Sequence, residues 1–152
     1  MRPWRCSVTS HEADTARRAR SEGVVRSLFE RLSAREFDEM AALLADDVEF
    51  DLAYAPEFLP MPTQGRTAVR ELVGNVIGGM FEPFSIAVTT VYPGADPGVV
   101  VAEYASDAVV KHNGNRYLNR YVGIFRVDDA GRITFWREYH NPEAATAALG
   151  SD

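Results

Sequence analysis

Near its C-terminal end the chain reads Phe135-Trp136-Arg137-Glu138-Tyr139-His140-Asn141-Pro142. In an extended segment alternate side chains share a face, so Trp136, Glu138 and His140 point one way and Phe135, Arg137 and Tyr139 the other. A carboxylate enclosed by aromatic and apolar neighbours loses hydration, and its pKa rises toward neutrality. That is the condition a general acid or base needs at physiological pH, which makes Glu138 the candidate catalytic residue. The competing reading is a structural ion pair that ties the sheet together, with Arg120 as the partner.

The neighbours of Glu138 depend on the hairpin formed through Asp128-Asp129-Ala130-Gly131. A four-residue loop there pairs Val127 with Arg132, which places Tyr121 opposite Glu138 and Asn119 opposite His140. A three-residue loop brings Val122 and Arg120 alongside instead. The first register is preferred, because Asn119 and Tyr121 then offer hydrogen bonds to a pocket. Val122, Ile124, Ile133 and Phe135 then form an apolar outer face suited to a dimer contact.

The Asn113-Gly114 turn pairs His112 with Asn115 and sets Tyr104 opposite Gly123 and Ser106 opposite Tyr121. Tyr104 thereby joins the inner face, as a ligand contact or as a core aromatic. His140 sits near the sheet end, where a structural or exposed role competes with substrate contact. Tyr54 and Phe58 lie in a proline-rich segment that lines a pocket mouth or packs as a lid. Glu103 and Asp107 fall on the opposite face from Tyr104.

Several chemistries are set aside by composition. The 152 residues are 46% hydrophobic and 25% charged, with a net charge of −6, and these values fit one globular domain. The pI near 5.1 argues against nucleic acid as a partner. Cys6 is the only cysteine, so neither an intrachain disulfide nor a cysteine metal site is expected. His11, His112 and His140 have no metal-ligand spacing, and neither a phosphate-binding glycine loop nor a GxSxG elbow occurs. No cofactor and no metal are expected. The apolar runs are too short for a membrane span, and residues 1–9 lack a signal-peptide core, so a cytoplasmic location is expected.

The elements that must position these residues follow from periodicity. Residues 1–10 read as a frayed leader and 11–148 as a single domain. Val24, Val25, Leu28, Phe29 and Leu32 recur at helical spacing from Thr15 to Leu32, with Gly23 as a break point. Asp38 is expected to cap a second helix with Phe37 as its staple, and Asp46-Asp47 to stop it before a strand over Val48–Leu52. Ala53 to Gln64 contains three prolines and reads as a loop. Arg66 to Met80 reads as a third helix ended by Gly78-Gly79. Strands follow at Phe84–Tyr92, Val99–Val110, Tyr117–Val127 and Arg132–His140, forming an antiparallel meander. The class is α+β, a curved sheet with helices on one face.

Three stretches in this arrangement, EFDEMAALLADDVEFD, GRTAVRELV and YLNRYVGIFRVDDAGRITFWREYHNP, resemble the SnoaL-like branch of the nuclear transport factor 2 superfamily, and within it the phenazine-biosynthesis A/B-like members. The resemblance runs over roughly Val24 to Ala145. It implies a cone-shaped, cystatin-like α+β barrel in which three helices of the N-terminal half close a pocket, and a homodimer formed through the convex face.

The superfamily carries many activities, so the comparison goes residue by residue. The catalytic Tyr, general-base Asp and oxyanion-hole Asp of ketosteroid isomerases match Leu28, Leu52 and Gly123, and all three roles are missing. Asp51 stands one residue from the base position, on the opposite strand face. The acid–base Asp of SnoaL-like polyketide cyclases, in their H-W-D stretch, falls on Glu138. Phenazine-biosynthesis A/B proteins carry a Glu there and add a His from the central helix region, which Arg66 to Met80 lacks.

The function implied is a cofactor-independent isomerase, cyclase or dehydratase acting on a small, largely apolar, aromatic or polyketide-like molecule. Glu138 moves a proton, Tyr121 and Asn119 orient a carbonyl, and Trp136 and Tyr104 stack on the ring. The alternatives are a non-catalytic carrier of such a molecule and a dimeric scaffold with a vestigial pocket. No nucleic acid and no membrane are expected as partners.

Overall fold

The computed structural model describes residues 6–150. Helix α1 (Cys6–Ser33) and short helix α2 (Phe37–Ala41) lead into strand β1 (Leu44–Leu52). After a loop come β2 (Thr63–Gln64) and α3 (Arg66–Val73), which runs on into a π-helical turn at Gly74–Gly78. Four long strands follow, β3 (Phe81–Pro93), β4 (Val99–Val110), β5 (Arg116–Val127) and β6 (Ile133–His140), and helix α4 (Pro142–Leu149) closes the order. The six strands make one sheet in the order β2-β1-β6-β5-β4-β3, antiparallel except where β1 runs parallel to β6.

The inner face of the sheet is the expected alternate set. On β4 Val100, Ala102, Tyr104, Ser106, Ala108 and Val110 are buried, and on β5 so are Tyr117, Asn119, Tyr121, Phe125 and Val127. Helix α1 lays Val25, Leu28, Phe29 and Leu32 on this face. No helix among the described residues is long and apolar enough to cross a membrane.

Several boundaries differ from the sequence reading. Helix α1 is unbroken through Gly23, which faces solvent with nothing near its missing side chain. The leader expectation lies outside the described residues for positions 1–5, and the chain is helical from Cys6. Asp38 is no cap: it sits in the first turn of α2 and accepts from Arg70 Nε at 2.8 Å. Asp46 and Asp47 do not stop a helix but lie within β1, both exposed, where a register irregularity between Leu44 and Glu49 turns two successive side chains outward. Arg66 pairs with Asp46 at 2.8 Å and donates to the Leu44 carbonyl.

Helix α4 was not read from the sequence. Its signal is present: Asn141 caps it by accepting from the Glu143 and Ala144 amides, with Pro142 at the first helical position. The helix then reshapes the β4–β5 turn. Asn113 and Asn115 donate to the Ala148 carbonyl and His112 Nε2 meets that of Leu149, so Lys111–Gly114 forms the loop and Val110 faces Asn115 across it. The expected His112–Asn115 pairing is therefore off by two: Tyr104 lies opposite Tyr121, and Ser106 opposite Asn119.

The β5–β6 register shifts as well. Val127 pairs with Ile133, and a bulge then passes over Thr134 so that Arg126 pairs with Phe135. Beyond it Gly123 faces Glu138 and Tyr121 faces His140, two residues from the preferred register. An even shift keeps every face assignment. The bulge does not, and it turns Ile133, fully buried, into the core rather than onto the outer face.

Candidate active site

A cavity of about 210 Å³ opens between the inner face of the sheet and the helices. Its walls come from β1 (Phe50, Leu52), the π-helical turn (Val76, Ile77), β3 (Phe81, Phe84, Ile86) and α4 (Ala145, Leu149). Phe37 packs against Gly74 and Gly78, behind the turn that presents Val76 and Ile77. The mouth is edged by Pro56, Phe58 and Leu59 of the proline-rich loop. Among the described residues, the lining side chains that carry N–H, O–H or carboxyl groups are Tyr117 and Tyr121 on β5 and Trp136, Glu138 and His140 on β6, and no Lys or Arg lines the cavity.

Glu138 stands on this wall without a cation. Arg120, the ion-pair alternative, is exposed on the other face of the sheet, and no ion pair to Glu138 is found among the described residues. Its partner is Tyr104, whose hydroxyl donates to Oε1 at 2.5 Å. Two effects compete on the carboxyl. Burial raises its pKa, the Tyr104 bond lowers it by favouring the charged form, and burial wins, bringing it to about 7.

Tyr104 is buried beneath the wall rather than part of it. Its ring stacks on Tyr121 at 5.0 Å and packs on Phe29 at 4.1 Å. Burial, then the charge of Glu138, raise its pKa well above the ordinary phenol value, so it stays a donor. The Trp136 indole N–H is buried without a hydrogen-bond partner, while its ring packs on Phe50 at 4.6 Å.

Beside Glu138 runs a chain of hydroxyls. Tyr121 bonds Ser106 Oγ at 2.8 Å and the Tyr117 hydroxyl at 3.0 Å, and Asn119 Nδ2 donates to Tyr117 at 2.8 Å. Burial raises the pKa of both Tyr117 and Tyr121, so both remain protonated donors at the cavity surface. Tyr117 was not singled out in the sequence, although it shares strand parity with Asn119 and Tyr121.

Besides Tyr104, two more expected contacts lie elsewhere. Asn119 does not line the cavity. Its amide nitrogen also donates to the Asn141 carbonyl, and its oxygen accepts from the Arg120 and Asn141 amides, so it fixes the start of α4. Tyr54 is 57% exposed and sets its ring edge against Tyr139, on the outer side of β6. Phe58, its neighbour in the loop, does reach the cavity. His140 lines the wall half-buried, with its pKa lowered by burial and its Nδ1 enclosed without a partner. No group of three His, Cys, Asp or Glu able to hold a metal is found among the described residues.

The family model of the SnoaL-like domain matches residues 25–136. The chain belongs to the SnoaL-like family. The match stops two residues short of Glu138, so the carboxyl rests on the geometry above. The protein YesE of Bacillus subtilis strain 168, itself uncharacterized, is 27% identical over 126 residues, covering 83% of this chain and 84% of that one. A candidate isomerase from Bacillus subtilis superposes with a TM-score of 0.81 at 25% identity, over 88% of this chain and 95% of that one. A candidate polyketide cyclase from Xanthomonas campestris pv. campestris gives 0.73 at 25% identity, over 88% and 99%. The architecture is that of the nuclear transport factor 2 superfamily, as expected from the sequence.

Proposed function

We propose that this SnoaL-like chain is a cofactor-independent acid–base enzyme of the isomerase or cyclase type, acting on a small, neutral, largely apolar molecule. The observation that carries the reading is Glu138: one carboxyl, with no cation beside it among the described residues and poised to titrate near pH 7, on the wall of a largely apolar cavity. Such a group is available as both acid and base in the cell, which suits a proton shift, a ring closure or an elimination. The Tyr117 and Tyr121 hydroxyls bond each other, which leaves one phenol proton of the pair to donate to an oxygen of the bound molecule. Aromatic and aliphatic walls hold its body.

Charge narrows the substrate. An anionic ligand would enter a cavity without a cation, beside an ionisable carboxyl and in a protein of net charge −6. A neutral carbonyl compound or epoxide meets no such penalty.

The test pairs wild type with Glu138→Gln against a panel of neutral cyclic ketones, poly-β-ketone aromatics and epoxides. Product and deuterium incorporation from D₂O are read by mass spectrometry. Turnover of one class by wild type, lowered about 10²–10⁴-fold in the variant, supports the reading. Panel members that bind both proteins equally and are turned over by neither would make the chain a carrier.

The working unit in this reading is a homodimer. Val122, 38% exposed, stands with Ile124 and Phe135 on the outer face, where a second copy covers them. Light scattering is expected to return twice 16.8 kDa, and only 16.8 kDa would contradict it.

A further inference from the structure

Tyr104 reaches Glu138 past residue 123, which has no side chain. Gly123 stands directly opposite Glu138 in the β5–β6 pairing. A Cβ built there would lie 2.8 Å from the Tyr104 hydroxyl and 2.6 Å from a ring carbon of Phe125. The backbone at Gly123 is not left-handed, so space alone demands a glycine here.

Among the described residues, one oxygen of Glu138 finds a hydrogen-bond partner. Oε1 accepts the Tyr104 bond, whereas Oε2 has no partner among the described residues and is not sealed off, so it opens on the cavity. When the carboxyl is neutral, the oxygen accepting a short phenol bond is the carbonyl one, and the proton belongs to the other.

We propose that Gly123 and Tyr104 are a positioning pair: the space left at Gly123 admits the Tyr104 hydroxyl to Oε1, which puts the carboxylic proton of Glu138 on Oε2, facing the bound molecule. In an isomerisation Oε2 gives that proton to the ligand oxygen, and the resulting carboxylate keeps the Tyr104 bond. Oε2 then takes a proton from a ligand carbon, restoring the acid with no net gain or loss. The pair rests on the acid–base reading of Glu138, but its test requires no substrate.

Infrared difference spectra of each protein against its Glu138→Gln counterpart isolate the C=O stretch of the protonated carboxyl. Tyr104→Phe removes one oxygen and keeps the ring contacts with Phe29 and Tyr121. In that variant the pH midpoint for losing the band is expected to rise by roughly one to two pH units, as befits a lost hydrogen bond to a charged group. The band itself moves to higher frequency, because Oε1 no longer accepts a bond. Gly123→Ala reproduces both changes, and adding it to Tyr104→Phe moves neither further.

If Gly123→Ala does not fold, Gly123→Ala with Phe125→Leu, which removes the ring carbons in its way, gives the same comparison. An unmoved band frequency in Tyr104→Phe overturns the assignment of the proton to Oε2. Wild-type spectra in the Gly123 variants overturn the role of the glycine. A wild-type band already lost near pH 4.5 would remove the acid–base reading itself, a failure distinct from the other two.

Discussion

Glu138 and Asn119 are both polar residues on the inner face of one sheet, yet their hydrogen bonds give them opposite duties. Asn119 spends its amide on Tyr117 and on the backbone of Arg120 and Asn141. Asn119→Ala leaves those buried groups without partners, and urea unfolding should show a loss of about 2–4 kcal/mol with ligand affinity per folded molecule little changed. Glu138 spends one oxygen and keeps the other open. Glu138→Gln should therefore remove turnover and spare binding, a split read by comparing kcat with the Kd of the same ligand. Equal losses in both would make Glu138 a binding group only.

At the scale of elements, strand parity was legible and register was not. The alternation of Tyr117, Asn119 and Tyr121, and of Trp136, Glu138 and His140, puts both sets on one face in the preferred register and in the observed one, because the two differ by two residues and an even slip preserves parity. Nothing local in the sequence reveals that α4 docks on the β4–β5 turn, or that a bulge falls at Thr134, since both depend on contacts distant along the chain. Hence Ile133 was misplaced on the outer face, and Tyr54 was expected at the mouth. The proline-rich loop yields a prediction of its own. Phe58 is 75% exposed yet touches the cavity, so Phe58→Ala should leave the melting temperature unchanged and weaken ligand binding, measured by calorimetry. A drop in melting temperature with unchanged affinity would make it a structural plug.

For the whole molecule, the raised pKa of Glu138 couples folding to pH. The folded state holds its proton up to about pH 7, whereas the unfolded chain releases it near 4.5. Between those values the folded state binds more protons, so stability falls as pH rises through the window. His140, with its pKa lowered by burial, acts in the opposite sense, because the unfolded chain takes up its proton first. Glu138→Gln isolates the carboxyl. The variant should match wild type at pH 4.5 and exceed it by about 2–3 kcal/mol at pH 8, read as a higher melting temperature. A variant less stable than wild type at pH 8 would mean that the carboxylate is held by a favourable partner.

The central claim is that this carboxyl exchanges its proton near neutral pH inside the cavity. It is tested most directly by following the ¹³Cδ resonance of Glu138, assigned by its absence in Glu138→Gln, from pH 3 to 9. The account predicts a single titration with its midpoint near 7. A midpoint at or below 4.5 would show a solvated or ion-paired carboxylate, and would contradict it.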